Sequence, residues 1–133
     1  MDAAEMVEDF QLFDEWEDRY TYLIDLGRKL PPLADEERCP ETKVEGCLSQ
    51  VWFARRDRGD GRLWFDADSD SAIVRGLIGV LRVLYLGSTP AEVAAVDIEG
   101  LFGAIGLQEH LTVNRRNGFF SMVGRIQRFS AEM

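Results

Sequence analysis

Between Ala72 and Leu86 the chain is apolar nearly all round, broken only by Arg75 and Arg82. A helix without a polar face must be covered on several sides, so this stretch predicts a central buried helix with the other elements packed around it. Asp68-Ser69-Asp70-Ser71 ahead of it is rich in N-cap residues, and Gly87 behind it fits a C-cap. Gly76 and Gly79 in its interior each cost a free helix about 1 kcal/mol relative to alanine. Their presence predicts close packing against another element. At 133 residues the chain is expected to form a single domain, residues 1–133, with a core that needs no disulfide staples.

The flanking segments supply the cover. Residues 5–14 predict a short helix with Met6, Val7, Phe10 and Phe13 on one side. Trp16, Tyr20, Leu23, Ile24 and Gly27 recur at helical spacing and predict a second helix. Arg28 and Lys29 complement the dipole at its end, and Pro31-Pro32 stops it. Residues 33–42 read as a loop with one turn at Asp35–Arg38. Lys43–Glu45, Gln50–Asp57 and Arg62–Ala67 read as strands, with the Arg58-Gly59-Asp60-Gly61 turn joining the last two as an antiparallel hairpin. Val51 and Phe53 point to one face, and Gln50, Trp52 and Ala54 to the other. Three more helices follow: one from Thr89-Pro90 to about Val96, one over Glu99–Ile105, and a last one over Asn114–Met133. Phe119, Met122, Val123, Ile126 and Phe129 form the inner stripe of that last helix. The fold class is therefore α+β, a small three-stranded antiparallel sheet packed against several helices.

Charge narrows the partners. The formal net charge is −9, and eight acids without a base lie between Asp2 and Asp18. Nucleic acid and anionic membrane both need an excess of lysine and arginine facing the phosphates, so neither is an expected partner. No apolar run is long enough to span a bilayer, and the acidic N-terminus lacks the pattern of a signal peptide. The cytoplasm is the expected location.

The chemistry-bearing stretch is Val44-Glu45-Gly46-Cys47-Leu48-Ser49-Gln50-Val51-Trp52. Gly46 permits a bend that a residue with a Cβ resists, and it sets Cys47 at the tip, just ahead of a strand. A thiol so placed can be presented to another molecule. Cys39 and Cys47 are the two cysteines and His110 is the lone histidine, a donor set short of any standard metal spacing, so no metal site is expected. A buried, inert thiol remains the alternative reading for either cysteine.

Four blocks of this chain resemble the SufE family of sulfur-acceptor proteins. The first is Leu26-Gly27 with Leu30-Pro31, and the second is the Val44–Trp52 motif. The third is Asp68-Ser69-Asp70-Ser71-Ala72-Ile73-Val74 with Gly76-Leu77 and the Thr89-Pro90 cap. The fourth is His110-Leu111-Thr112 with Arg115 and Asn117-Gly118. The resemblance implies a fold similar to SufE and the IscU scaffolds. It also implies a carrier, not an enzyme, which binds no cofactor of its own. That carrier accepts a persulfide from a pyridoxal-phosphate cysteine desulfurase of SufS or CsdA type and stimulates it. It passes sulfur to an iron–sulfur assembly scaffold such as the SufBCD complex. The family's acceptor cysteine matches Cys47, and no role carries over to Cys39.

The remaining site candidates follow from what a Cys47 thiolate needs. A free thiol has a pKa of about 8.5 and is only a few per cent thiolate at pH 7. His110, Arg115 or the backbone N–H groups of the Gly46–Gln50 bend, Ser49 among them, are candidates to favour the anion. The structural alternatives are that His110 is a hydrogen bonder in a connector and that Arg115 ties this connector to the last helix. Asp70 reads as a cap or a partner contact, and Trp52 is a second candidate partner contact. Leu48 is expected to be partly buried, a lid over a persulfide that reduction and oxidation both threaten. The loop at 45–49 is then sheltered in the free protein and swings out when the desulfurase docks. Two rival readings are a thiol redox sensor or peroxidase using Cys47 with Cys39, and an iron–sulfur scaffold.

Overall fold

Side-chain caps set most of the helix starts in the computed structural model, which describes residues 1–133. Asp2 accepts from the Glu5 amide and opens α1 (Ala3–Gln11) earlier than the apolar spacing suggests. α2 spans Trp16–Arg28. Ser71 accepts from the Val74 amide and opens α3 (Ala72–Tyr85). Thr89 and Glu92 form a reciprocal capping box on α4 (Pro90–Ala95), with Pro90 in its first turn. Asp97 caps α5 (Ile98–Ala104), and Thr112 caps the long α6 (Val113–Ala131). One-turn 3-10 segments lie at Asp35–Glu37 and Leu107–Glu109.

α3 is the centre of the molecule. Leu77, Ile78, Val80 and Leu81 are buried completely or nearly so, and the helix packs against α1, α2, α6 and the sheet. The α2–α3 crossing is the tightest contact. A Cβ on Gly27 would lie 2.6 Å from the Gly76 amide nitrogen, one on Gly76 would run into the Leu23 carbonyl, and one on Gly79 would meet Leu26 at 3.0 Å. The two interior glycines of α3 are thus explained by backbone-to-backbone approach. On α2 the buried residues are Leu23, Leu26 and Gly27, whereas Trp16, Tyr20 and Ile24 are half-buried. On α6 the expected stripe, Phe119 to Phe129, is buried throughout.

β1 (Val51–Arg56) and β2 (Trp64–Ser69) pair antiparallel, from Val51 opposite Ser69 to Arg56 opposite Trp64. Val51 and Phe53 face the core as expected, but Ala54 is also buried. The expected third strand is absent. Lys43 makes only an isolated bridge to Trp52, closed by Val44 N–H to the Val51 carbonyl at 2.9 Å and Phe53 N–H to the Thr42 carbonyl at 2.8 Å. The segment is hemmed in on both sides. Thr42 is held in a turn, its hydroxyl donating to the Glu37 carbonyl at 2.6 Å, and Gly46 turns the chain away at a φ of +87°. Too few residues remain extended to build a ladder.

The two arginines that interrupt α3 are partners for the sheet. Arg82 and Arg56 both reach Asp66, at 3.1 Å each, while Arg56 also forks onto the Glu37 carboxylate. Asp68 is buried and takes Arg38 at 2.7 Å and Arg75 at 3.0 Å. A carboxylate so far out of water is tolerated because it is paired on both sides and also accepts from the Ser69 amide.

Candidate functional site

The Cys47 loop is a short excursion held at both ends. The Val44–Val51 hydrogen bond closes its base. On the far side Asp70 accepts from the Gln50 amide at 3.0 Å and donates its own amide to the Gln50 carbonyl at 3.3 Å. Asp70 therefore positions the loop, and Ser71, the neighbouring residue, supplies the α3 cap. At the loop's turn, Gly46 lies against α6. A Cβ there would sit 2.5 Å from Ser121 Oγ on top of the unfavourable positive φ.

Cys47 is half-buried, and its thiol donates to the Gly118 carbonyl on α6 at 3.6 Å. It forms one wall of a cavity of about 260 Å³. Val74 and Leu77 of α3 with Phe119 and Met122 of α6 contribute the apolar side. Ser49, Thr112, Asn114 and Arg115 contribute the polar side. Arg115, Gly118, Phe119 and Met122 come to one place because they lie at 0, 3, 4 and 7 along α6, one face of the helix. Phe119 and Met122 read as plain core in the sequence, and that spacing from Arg115 is the signal that could have assigned them to the site.

The other expected site residues divide. Ser49 and Arg115 do lie with Cys47 around the cavity. Arg115 donates to Ser71 Oγ at 3.3 Å, tying α6 to the start of α3. His110 does not join them. It is exposed and stacks on Trp16 at 4.0 Å between ring centroids, while its carbonyl accepts from the Tyr20 hydroxyl. Trp52 is half-buried under the Arg38 guanidinium, outside the cavity. Cys39 lies beside Thr42, also outside it. Leu48 is 84% exposed and not partly buried as expected, although it borders the mouth of the cavity. Gly46 is exposed too, so the loop at 45–49 is not sheltered as a whole. The bend that turns the Cys47 thiol inward leaves the adjacent side chain outward, and shelter for the sulfur comes from α3 and α6 instead.

The thiol is not activated in the free protein. Burial pushes its pKa up, and the charge of Glu45 pushes it further the same way. Cys47 should therefore alkylate with a pH midpoint above that of an ordinary thiol, and more slowly than a cysteine peptide at neutral pH. Iodoacetamide rates across pH on a Cys39→Ser background measure this. Glu45→Gln should lower the midpoint only part of the way, because burial is the larger cause. A midpoint at or below about 8.5 would contradict this account.

No three His, Cys, Asp or Glu side chains converge as a metal-binding group. No helix is long and apolar enough to cross a membrane.

Residues 4–130 match the model of the SufE Fe-S metabolism associated domain. This chain belongs to the SufE family. An uncharacterized SufE-like protein of Rhizobium etli is 47% identical over 126 residues, which cover 92% of this chain and 85% of that protein. Another, of Rhizobium meliloti, is 43% identical over 126 residues, covering 92% and 90%. The solution structure of a hypothetical protein from Thermus thermophilus superposes with a TM-score of 0.78 over 98% of this chain and 93% of that one. Its sequence identity is 22%, so it supports the α+β fold alone. Membership assigns the SufE domain described here to iron–sulfur metabolism.

Proposed function

We propose that this SufE-family protein accepts sulfane sulfur on Cys47 from a pyridoxal-phosphate cysteine desulfurase of SufS or CsdA type. It thereby speeds that enzyme's turnover and passes the sulfur to an iron–sulfur assembly scaffold of SufBCD type. The observation that carries this reading is the Cys47 thiol on a loop tied down at both ends, facing a cavity with an apolar side. The Cys47 thiolate attacks the outer sulfur of the donor's Cys–S–SH. A new S–S bond forms as the donor's breaks, and the donor thiolate leaves with the bonding pair and takes up the proton that Cys47 gave up. The product, Cys47–S–SH, has apolar cover from α3 and α6 between transfers.

The raised thiol pKa gives the partner a task. A base or a cation at the donor's active site would favour the thiolate, so transfer from the protein donor is expected to be fastest in the docked complex. The loop swings out for that encounter, with Gly46 as the flexible point and the Asp70–Gln50 pair as the tether. In this reading the protein is a stoichiometric carrier, and it works in the cytoplasm, where two unpaired cysteines persist. The scaffold alternative is disfavoured by chemistry: clusters want about four thiolate or imidazole ligands, and His110 is turned onto Trp16. The redox alternative needs Cys39 at the same site, and Cys39 is outside the cavity.

The test is to mix the protein with a cysteine desulfurase, pyridoxal phosphate and cysteine, and to follow intact mass. Gain of one sulfur that maps to Cys47 is expected. No gain on the unmutated protein would sink the reading.

A further inference from the structure

The cavity beside Cys47 is far larger than its proposed cargo. Its volume is about 260 Å³, whereas a sulfur atom is of the order of a water molecule, whose share of liquid volume is about 30 Å³. The space opens to solvent and has room for several heavy atoms beyond a persulfide sulfur. The lining is also divided, with Val74, Leu77 and Met122 on the apolar side and Arg115 on the polar side. A guanidinium offers five N–H donors. The Arg115 side chain makes one hydrogen bond within the protein, to Ser71 Oγ, and joins none of the ion pairs. It is half-buried, where a charge-assisted bond is stronger than at a fully hydrated site. The chain as a whole, at −9, repels anions, so attraction of a carboxylate here depends on this local cation.

We propose that the cavity admits a low-molecular-mass amino-acid thiol or its persulfide, with the sulfur against Cys47 Sγ and the carboxylate on Arg115. The proposal deepens, and rests on, the reading of Cys47 as a sulfane-sulfur acceptor. It gives Cys47 a route of sulfur exchange that needs no protein donor. In the charging direction the Cys47 thiolate attacks the outer sulfur of R–S–SH. The Cys47 S–S bond forms as the R–S–S bond breaks. R–S⁻ leaves with the bonding pair and takes the proton released by Cys47, so that R–SH departs. The same step run backwards unloads Cys47–S–SH onto a small thiol. No oxidant or reductant is consumed in either direction.

The test uses the full chain with Cys39→Ser and reads intact mass over time. Cystine and cystamine are the probes, two disulfides that form a mixed disulfide with Cys47 by the same exchange. They differ in the carboxylates that only cystine carries. Cystine is expected to react faster by about tenfold, the ratio that one charge-assisted hydrogen bond confers, although the net charge favours the cationic cystamine. Arg115→Gln should erase the preference, and Arg115→Lys should keep part of it. Without any change at Arg115, S-methylcysteine should slow alkylation of Cys47 by iodoacetamide while S-methylcysteamine does not. That arm is independent of whether an Arg115 variant folds. Cystamine as fast as cystine, an unchanged preference in Arg115→Gln, or no protection by S-methylcysteine overturns the proposal. Sulfur uptake from a desulfurase without a cystine preference removes this proposal and leaves the carrier function standing. A cystine preference without uptake from any desulfurase keeps the small-molecule site and removes the carrier function.

Discussion

Cys47→Ser is expected to abolish sulfur uptake from a cysteine desulfurase, while Cys39→Ser leaves it at the level of the unmutated protein. The effect is all-or-none because the reaction is exchange at sulfur. A hydroxyl is not appreciably ionised near neutral pH and forms no S–S bond, so serine offers no slower version of the same step. The fold should not notice the change. Cys47 is half-buried and its thiol makes one weak contact, to the Gly118 carbonyl at 3.6 Å. A serine oxygen fills nearly the same space, so stability should change by no more than about 0.5 kcal/mol. Intact mass for sulfur and urea unfolding for stability check both halves. Any sulfur retained on the Cys47→Ser variant at stoichiometric level would move the acceptor role to another residue.

Gly76→Val is expected to be strongly damaging to the fold. Even a Cβ at this position runs into the Leu23 carbonyl of α2. The obstacle is backbone, so no rotamer change relieves it, and α2 must move off α3. Overpacking typically costs about 1–3 kcal/mol, against a gain of about 1 kcal/mol in helix propensity for Gly76→Ala. Gly76→Ala should therefore lower stability and Gly76→Val should lower it much more, to the point of loss of cooperative unfolding. Gly124 on α6 is the control. A Cβ there meets nothing within 4 Å, so Gly124→Ala should raise stability by up to about 1 kcal/mol. Denaturant midpoints for the three variants decide it, and a Gly76→Ala protein as stable as Gly124→Ala would show that the α2–α3 crossing yields easily.

The limits of the sequence reading show at particular residues. The Lys43–Glu45 segment has strand-like composition, yet a turn held by Thr42 and the positive φ of Gly46 leave it one bridge instead of a ladder. Arg75 and Arg82 looked like interruptions of an apolar helix and are the counter-ions of Asp68 and Asp66. His110 and Arg115 stand five residues apart, and only Arg115 reaches the cavity, because His110 is drawn to the Trp16 ring. Leu48 next to Cys47 looked partly buried and is exposed at the edge of the cavity, while Met122 looked like plain core and also lines the site.

By itself the sequence indicated α3 with a cap within Asp68–Ser71, the Thr89-Pro90 start of α4, the Gly46 bend and Cys47 as the candidate thiol. These depend on interactions between residues a few positions apart, which periodicity and side-chain chemistry report directly. Only the tertiary structure decided what surrounds that thiol. The Gly118 carbonyl that receives it is 71 residues away, and Ser71 and Arg115, joined by a side-chain hydrogen bond, are 44 apart. Which distant side chains close a space around Cys47, and how far that burial raises its pKa, depends on how α3 and α6 pack against each other. No local pattern in the chain encodes that packing.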